Sequence, residues 1–278
     1  MAPDVRPAPV RNASVSEVRH LLDSTRPDGL TLLDVRMERE YATYHLPGAR
    51  LLPLPELPDR LESLDRQKPI IVYCRSGKRS AAAAALLAGA GFSPIVNMLG
   101  GVTAWQGAVA SGPPDAGMRL LSGRESVREI LLAALGMEAA LETFYTTLAR
   151  TSPAGQAVFE RLAGFEKRHL QHILGVYRQR TGDTAPLADV LAGAGPELEG
   201  GRPGEDFLRQ LGDDPASPEE ALELAASVEA QAFDLYARLA RQAETPQQTE
   251  LLTSLAQEEK RHLRTVASLM NTASSDHE

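Results

Sequence analysis

Cysteine is nearly absent from this chain of 278 residues, in which Cys74 is the only one. A single cysteine cannot form an internal disulfide, so any role it has must come from its thiol. Long apolar runs are missing as well, since none approaches the roughly 20 residues needed to cross a bilayer. The opening segment MAPDVRPAPVRN has no apolar core like that of a secretory signal. We therefore expect a soluble, cytoplasmic protein with no membrane partner.

Positively charged residues are fewer than negatively charged ones. The chain has 29 Lys and Arg residues against 37 Asp and Glu, which gives a formal net charge of −8 at pH 7. This charge repels phosphate backbones, and no basic run is interleaved with aromatic residues, so nucleic acid is not an expected partner. No nucleotide cofactor is indicated either. The remaining composition, 43% hydrophobic and 24% charged, is that of a globular protein, and the length predicts two domains.

The sequence pattern changes near 111–123, SGPPDAGMRLLSG, where Gly, Pro and Ser gather. Upstream of it, the apolar runs LTLLDV (30–35), PIIVYC (69–74) and SPIVNML (93–99) alternate with helical patterns such as SAAAAALLAGAG (80–91). This alternation predicts an α/β domain with a parallel sheet and flanking helices. We interpret the alanine run as a helix face packed closely on that sheet.

Downstream the pattern is helical, and capping residues predict four helix starts. The predicted N-caps are Ser122, Ser152, Ser217 and Thr245, each followed by proline or by a Glu or Gln at capping-box spacing. The connection between the second and third helices, about 179–216, is rich in Gly, Pro and Asp. It is longer than a helix bundle normally needs, which predicts a long crossover. We therefore expect an all-α four-helix bundle.

The pentapeptide EKRHL occurs twice in this half, at 166–170 and 259–263. Each copy places a glutamate three residues before a histidine, so the two side chains share one face of a helix. The first and third helices each carry a glutamate seven residues before a tyrosine, two turns away on one face. These pairs are Glu138 with Tyr145 and Glu229 with Tyr236. The repeat is therefore a helical hairpin used twice.

Two such hairpins can bring four carboxylates and two imidazoles together inside the bundle. The six residues are Glu138, Glu166, His169, Glu229, Glu259 and His262. Carboxylates supply charge and bridging oxygens for two divalent ions, and imidazole suits iron and manganese. A single Glu-x-x-His is usually a solvated helix face, but two matched copies favour a dinuclear metal site. The two tyrosines are either hydrogen-bond donors to the glutamates or core residues.

This arrangement resembles the ferritin-like di-iron carboxylate proteins. The segments GMEAALETFY, LAGFEKRHL, VEAQAFDLY and LAQEEKRHL are most similar to rubrerythrin, over roughly 122–272. The resemblance implies two iron ions, with manganese possible, bridged by Glu166 and Glu259. It also implies one terminal glutamate and one histidine for each metal, drawn from Glu138, Glu229, His169 and His262. Ala232 replaces a glutamate common in the family, and the cysteines of a rubredoxin tail are absent, so ordinary rubrerythrin peroxidase cycling is in doubt.

The upstream domain has its own chemistry in IIVYCRSGKRSA (70–81). An apolar strand ends at Cys74 and a helix begins near Ser80, so the thiol is expected to face a helix N-terminus. Backbone N–H groups and nearby cations are expected to lower its pKa and to bind an anion. The predicted anion-binding residues are Arg75, Ser76, Gly77, Lys78 and Arg79. A lone cysteine is more often an inert core residue, but a cationic glycine-containing loop is not typical of that class.

This loop resembles the active site of a rhodanese. The segments LLDVR (32–36), EYATYHLPGA (40–49) and LGGVTAW (99–105) also occur where that family has them. The resemblance implies that Cys74 takes a sulfane sulfur, as a persulfide, from a donor such as thiosulfate or a persulfide and passes it to a thiol or cyanide. Similar phosphatases of this fold have five residues between cysteine and arginine. Here four separate Cys74 from Arg79, which favours sulfur transfer over phosphoryl transfer.

The predicted organisation has five parts: an N-terminal extension (1–11), a rhodanese-like domain (12–112), a linker (113–121), a di-iron bundle (122–272) and a C-terminal tail (273–278). Two functions are compatible with it. In the first, Cys74 sulfur transfer is linked to redox chemistry at the metals, with an unknown electron donor and peroxide, oxygen or sulfur species as substrates. In the second, the bundle is a non-catalytic metal-binding or sensing module. A homodimer is expected.

Overall fold

The computed structural model describes residues 9–118, 121–193, 197–198, 202–204 and 217–275. The chain divides into two compact units, Met1–Asp115 and Ala116–Glu278. The division falls inside the predicted linker, but the limits of the five predicted parts stay predictions. Most of the predicted N-terminal extension, part of the tail and much of the predicted crossover lie outside the described residues.

The first unit is built on a five-stranded sheet in which every pair of neighbouring strands is parallel. The strand order is β1-β5-β4-β2-β3. The strands are Val10–Ala13 (β1), Thr31–Asp34 (β2), Arg50–Leu51 (β3), Ile70–Tyr73 (β4) and Ile95–Met98 (β5). The helices are Val15–Ser24 (α1), Glu38–Thr43 (α2) and Lys78–Gly89 (α3). This architecture confirms the predicted α/β domain.

Burial explains which strands the sequence revealed. All four residues of β4 and all four of β5 are buried, as expected for central strands of a parallel sheet covered on both faces. They lie in the mainly apolar runs that predicted them, although β5 also buries the polar Asn97. The edge strand β1, by contrast, exposes three of its four residues, so its sequence VRNA has no apolar pattern. No strand was predicted there, nor at the two-residue β3.

The alanine-rich helix α3 packs on the sheet as predicted. Ala83, Ala84 and Ala88 are buried in one apolar cluster with Ile70 and Val72 of the central strand β4. A methyl side chain lets the helix backbone approach the sheet closely, and larger residues would fill space that this packing does not leave. The alanine run is therefore a packing face.

The second unit is a ferritin-like bundle of four long helices arranged as two hairpins. Its elements are Val127–Thr151 (α4), Gln156–Thr181 (α5), Leu187–Val190 (α6), the antiparallel pair Glu197–Leu198 (β6) and Arg202–Pro203 (β7), Pro218–Gln242 (α7) and Pro246–Ser275 (α8). Short elements therefore occupy part of the predicted crossover. Every helix in the described ranges is too short or too polar to traverse a bilayer.

Two of the four predicted helix starts are wrong. Ser217 caps α7, and Thr245 forms a capping box with Gln248 before α8, as predicted. The helix α4, however, begins after Ser126, because the sequence offers a second serine with a glutamate three residues later. Ser152 follows the end of α4 instead of starting α5. Pro153 ends α4, because a residue before proline is disfavoured in helical conformation, and α5 begins three residues later at Gln156.

The bundle core consists of two apolar clusters, each with residues from all four long helices. In α4, for example, one cluster contains Met137 and the other contains Leu141. The buried Glu138 lies between them in sequence. Glu166 and Glu229 likewise lie, in their own helices, between residues of one apolar cluster and residues of the other. A polar layer therefore crosses the middle of an otherwise apolar bundle.

Enlarging a buried alanine of α3 is expected to destabilise the first unit. Ala84→Leu adds volume against the sheet and should lower the free energy of unfolding by about 1–3 kcal/mol. Urea unfolding followed by tryptophan fluorescence measures this, because Trp105, in the first unit, is the only tryptophan. Ala85→Leu, on the exposed face of the same helix, is the control. Equal unfolding midpoints for the two variants would contradict the packing assignment.

Candidate active site and candidate metal centre

Cys74 is the first residue after β4 and is 1% exposed. Its Sγ accepts a hydrogen bond from the Gly77 N–H at 3.2 Å. The helix α3 begins at the next residue, Lys78. The thiol therefore lies at the carboxyl end of a central strand and at a helix N-terminus, as the sequence predicted. Backbone N–H groups without helical partners are available in this position.

The segment after β5 holds the Cys74 loop in shape. The N–H groups of Val102 and Thr103 donate to the carbonyls of Cys74 and Arg75 at 2.8 and 3.0 Å. Gly101 makes this approach possible, because its φ is +59° and a Cβ there would lie 2.6 Å from the Arg75 carbonyl carbon. The LGGVTAW segment thus acts as a backbone support for the loop.

Hydrogen bonds determine the charge state of the thiol. Burial alone would raise the pKa of Cys74. Hydrogen bonds from the Ser80 hydroxyl and from the backbone N–H groups of Ser80, Ser76 and Gly77 outweigh that effect and lower the pKa below its ordinary value. The thiolate therefore forms at a lower pH than in an ordinary cysteine, although the site is almost closed to solvent.

The predicted cations have a smaller part in this than the sequence suggested. Arg79 pairs with Glu40 through two hydrogen bonds of 2.6 and 2.7 Å. This pairing lowers the pKa of Glu40 to about 2. Arg75 and Lys78 are exposed. The largest contributions that lower the pKa of Cys74 come from backbone N–H groups and a hydroxyl, and Arg79 also interacts electrostatically with Cys74, so the part of the cations stays a prediction.

Sequence reasoning missed Ser80 and Glu40. Ser80 is completely buried in the first turn of α3. That position could have indicated its role, because a hydroxyl in the first turn of a helix lies close to the loop that precedes the helix. Glu40 lies 39 residues before Arg79 in the chain. Nothing local connects the two, so only the fold reveals the pair.

The six predicted metal ligands come together in the bundle. Three groups have ligand atoms within 4.8 Å of one another: Glu166, His169 and His262; Glu138, His169 and Glu259; and Glu229, Glu259 and His262. The four glutamates are at most 1% exposed and His169 is 7% exposed. We call these six residues the carboxylate cluster. Glu259, His169 and His262 each belong to two of the groups, so the three groups overlap in a single cluster.

The carboxylate cluster has a strongly negative potential. Burial alone would lower the pKa of His262, but Glu229 and Glu259 outweigh it and raise that pKa to about 12. A position that holds a proton this tightly also stabilises a divalent cation in its place. Four buried carboxylates and two imidazoles match the oxygen and nitrogen donors that two iron or manganese ions require. The donor set therefore fits a dinuclear metal centre.

Two further features surround the cluster. Tyr145 and Tyr236 are completely buried, each within one of the two apolar clusters, and their role as donors to the glutamates stays a prediction. A cavity of about 340 Å³ is lined by His169, His262 and Glu258, among other residues. The sequence reasoning missed Glu258, a buried carboxylate that contacts His169 at 2.7 Å.

Comparison with known proteins agrees with this geometry. The family model of the rhodanese-like domain matches residues 14–108. A sulfurtransferase of Allochromatium vinosum is 35% identical over 78 residues, which cover 28% of this chain and 73% of that protein. The thiosulfate sulfurtransferase GlpE of Ectopseudomonas mendocina is 37% identical over 81 residues, 29% of this chain and 74% of that protein. The chain belongs to the rhodanese family.

The rhodanese match accounts for one part of the chain. The probable adenylyltransferase/sulfurtransferase MoeZ of Mycobacterium tuberculosis is 41% identical over 91 residues, but the chain spans 23% of its length. The family model of rubrerythrin matches residues 220–278. The chain thus joins a rhodanese domain to a rubrerythrin-like domain, as the sequence predicted.

Removing the Ser80 hydroxyl is expected to raise the pKa of the Cys74 thiol. In Ser80→Ala the thiolate loses a hydrogen-bond donor, so a higher pH is needed to deprotonate it. The ultraviolet absorbance of the thiolate measures this in the whole chain, with Cys74→Ser as the blank. Ser76→Ala is the matched control, because only the backbone N–H of Ser76 contributes and alanine keeps it. A titration unchanged in Ser80→Ala would contradict the assignment.

Proposed function

We propose that this protein is a sulfurtransferase that carries sulfane sulfur as a persulfide on Cys74, joined to a redox-active dinuclear metal centre. The observation that carries the first part is the position of the Cys74 sulfur at the start of α3, where it accepts a hydrogen bond from the Gly77 N–H at 3.2 Å and where neighbouring N–H groups and Ser80 lower its pKa. The relatives named sulfurtransferase support it, and they imply a sulfur donor and a sulfur acceptor as substrates.

The sulfur transfer takes place in two displacements at sulfur. The Cys74 thiolate attacks the outer sulfur of thiosulfate, a new S–S bond forms, and sulfite leaves with the electron pair of the old S–S bond. The outer sulfur of the Cys74 persulfide is then attacked by a thiolate or cyanide. A persulfide or thiocyanate is released, and the electron pair returns to the Cys74 thiolate. No net oxidant or reductant is consumed.

The loop residues have separate tasks in these steps. The N–H groups of Ser76 and Gly77, with Ser80, stabilise the Cys74 thiolate before it attacks the donor. They stabilise it again when it is regenerated by transfer of the sulfur to the acceptor. The exposed Arg75 and Lys78 attract the anionic donor, and this electrostatic attraction weakens with salt. Arg79 retains its pairing with Glu40 and shapes the loop, so its contact with the donor requires that this ion pair open.

The metal centre is proposed to hold two iron ions, with manganese as the alternative. Glu166 and Glu259 would bridge the ions. The remaining members of the carboxylate cluster would be terminal ligands. Bound iron would supply one-electron redox chemistry toward peroxide, oxygen or sulfur species. The chain's own contribution is to provide the donors, to bury the four glutamates between two apolar clusters and to leave a cavity beside the two histidines.

We also propose that sulfur transfer and the metal centre are functionally coupled and that an external donor supplies electrons. The protein is proposed to be a cytoplasmic homodimer. In the alternative, the bundle binds metal without turnover. Consumption of peroxide or oxygen by the iron-loaded protein decides between them. Turnover that disappears in Glu166→Ala supports an enzyme, whereas stoichiometric iron without turnover supports a binding or sensing module.

Cys74→Ser is expected to reduce thiosulfate sulfurtransferase activity to the uncatalysed background, because serine cannot form a persulfide. The assay follows thiocyanate release from thiosulfate and cyanide by the full chain. Ser76→Ala is the control, since it removes an exposed hydroxyl from the same loop and keeps the N–H donor. Equal activity of Cys74→Ser and the native protein would reject the proposed role of the thiol.

Iron loading is expected to give about two ions per chain, with a marked loss in Glu166→Ala and Glu259→Ala. Stripping the metal should also destabilise the bundle more than the first unit, because bound cations offset the buried negative charge. Metal analysis and thermal unfolding measure the two effects. The exposed Glu160 and Glu250, on the same two helices, give matched alanine controls. Metal binding that is unchanged by both Glu166→Ala and Glu259→Ala would reject these two glutamates as ligands.

A further inference from the structure

The two copies of the metal-binding hairpin differ immediately beside the carboxylate cluster. In the second copy, EEKRHL, the ligand Glu259 is preceded by Glu258. In the first copy, FEKRHL, the ligand Glu166 is preceded by Phe165. One half therefore has an additional carboxylate where the other has an aromatic ring.

Glu258 directly contacts a ligand from the other hairpin. It is 8% exposed, and its Oε2 lies 2.7 Å from Nε2 of His169. The other ring nitrogen of His169, Nδ1, contacts Glu138, a member of the carboxylate cluster. The imidazole thus has one nitrogen toward the cluster and the other toward Glu258. If Nδ1 were the metal-binding atom, Nε2 would carry the proton and would donate a hydrogen bond to Glu258.

The position of Glu258 is fixed from its outer side as well. Its second oxygen, Oε1, lies 3.1 Å from Nε2 of His172 and 3.3 Å from a guanidinium nitrogen of Arg261. Both of these partners are exposed. The carboxylate is therefore held between a buried metal ligand and two surface groups, which limits how far it can move away from His169.

The second histidine has a different environment. Among the described residues, the ion-pair partners of His262 are Glu229 and Glu259, both members of the carboxylate cluster, at 3.2 and 3.4 Å from Nδ1. Phe165 and His262 line the same cavity, and a phenyl ring is not a conventional hydrogen-bond acceptor. The position that matches Glu258 therefore cannot support His262 in the same way.

A carboxylate that accepts a hydrogen bond from a metal-bound imidazole fixes its tautomer and orientation and makes it a stronger ligand. We propose that Glu258 is a positioning residue for His169 and makes the two metal positions inequivalent. The ion held by His169 binds more tightly and loads first. This inference rests on the proposed dinuclear centre, and it predicts a difference that the symmetry of the six ligands alone would not produce.

The test uses the full chain, stripped of metal and titrated with Fe²⁺ or Co²⁺ without oxygen. The native protein is expected to bind two ions in two resolved steps. Glu258→Leu should weaken the tighter step by about 10-fold to 100-fold, the range for loss of such a hydrogen-bond partner, and bring the two steps together. Glu250→Leu makes the same change at an exposed position of α8 and should leave both steps unchanged.

Mössbauer spectra of the protein loaded with two ⁵⁷Fe²⁺ ions separate a ligand effect from a packing effect. The native protein should show two doublets, and Glu258→Leu should shift one of them and leave the other. Glu258→Gln keeps the volume and an acceptor oxygen without the charge. It should give a smaller loss of affinity than leucine, and it decides the matter if circular dichroism shows that the leucine variant has lost its helices.

Three results would overturn the inference: two ions bound with equal affinity by the native protein, an unchanged tighter step in the folded Glu258 variants, or equal shifts of both doublets. Failure of the native chain to bind two ions is a different result, because it would reject the proposed dinuclear centre itself.

Discussion

The burial of negative charge is the constraint on which the bundle depends. Four glutamates at most 1% exposed lie between two apolar clusters that each draw residues from all four long helices. Isolated carboxylates in such surroundings are strongly disfavoured. The favourable packing of the two apolar clusters therefore has to offset the cost of burying these glutamates. Only cations or protons can neutralise their charge. The protein thus combines a stable frame with a site that favours cations.

The first unit faces the same physical problem on a smaller scale and solves it differently. A buried thiolate at Cys74 is stabilised by N–H groups and the Ser80 hydroxyl, which carry only partial charges. Those donors are in place because β4, the loop and the start of α3 follow one another directly. The backbone of the Gly101 segment then holds the loop from the other side. In the proposed function, the Cys74 thiolate is stabilised by backbone donors, and the buried carboxylates of the bundle would be neutralised by bound cations.

Local pattern predicted much of this molecule. The central strands β4 and β5 formed apolar runs, and the repeated EKRHL located both Glu-x-x-His pairs on helix faces. The misplaced start of α4 shows where local rules become ambiguous, because Ser122 and Ser126 both have capping-box spacing. The pairs Arg79 with Glu40 and His169 with Glu258 join residues 39 and 89 positions apart. Such contacts depend on how the chain folds, so they cannot be predicted from neighbouring residues in the sequence.

The presence of a single cysteine also determines how this protein can recover from oxidation of Cys74. Because Cys74 has no second cysteine in the chain, a sulfenic acid formed on it cannot be resolved as an intramolecular disulfide. Recovery must come from a thiol on another molecule, and further oxidation to the sulfinic or sulfonic acid would be permanent. The near-complete enclosure of the sulfur, at 1% exposure, therefore protects the chain as well as tuning its chemistry.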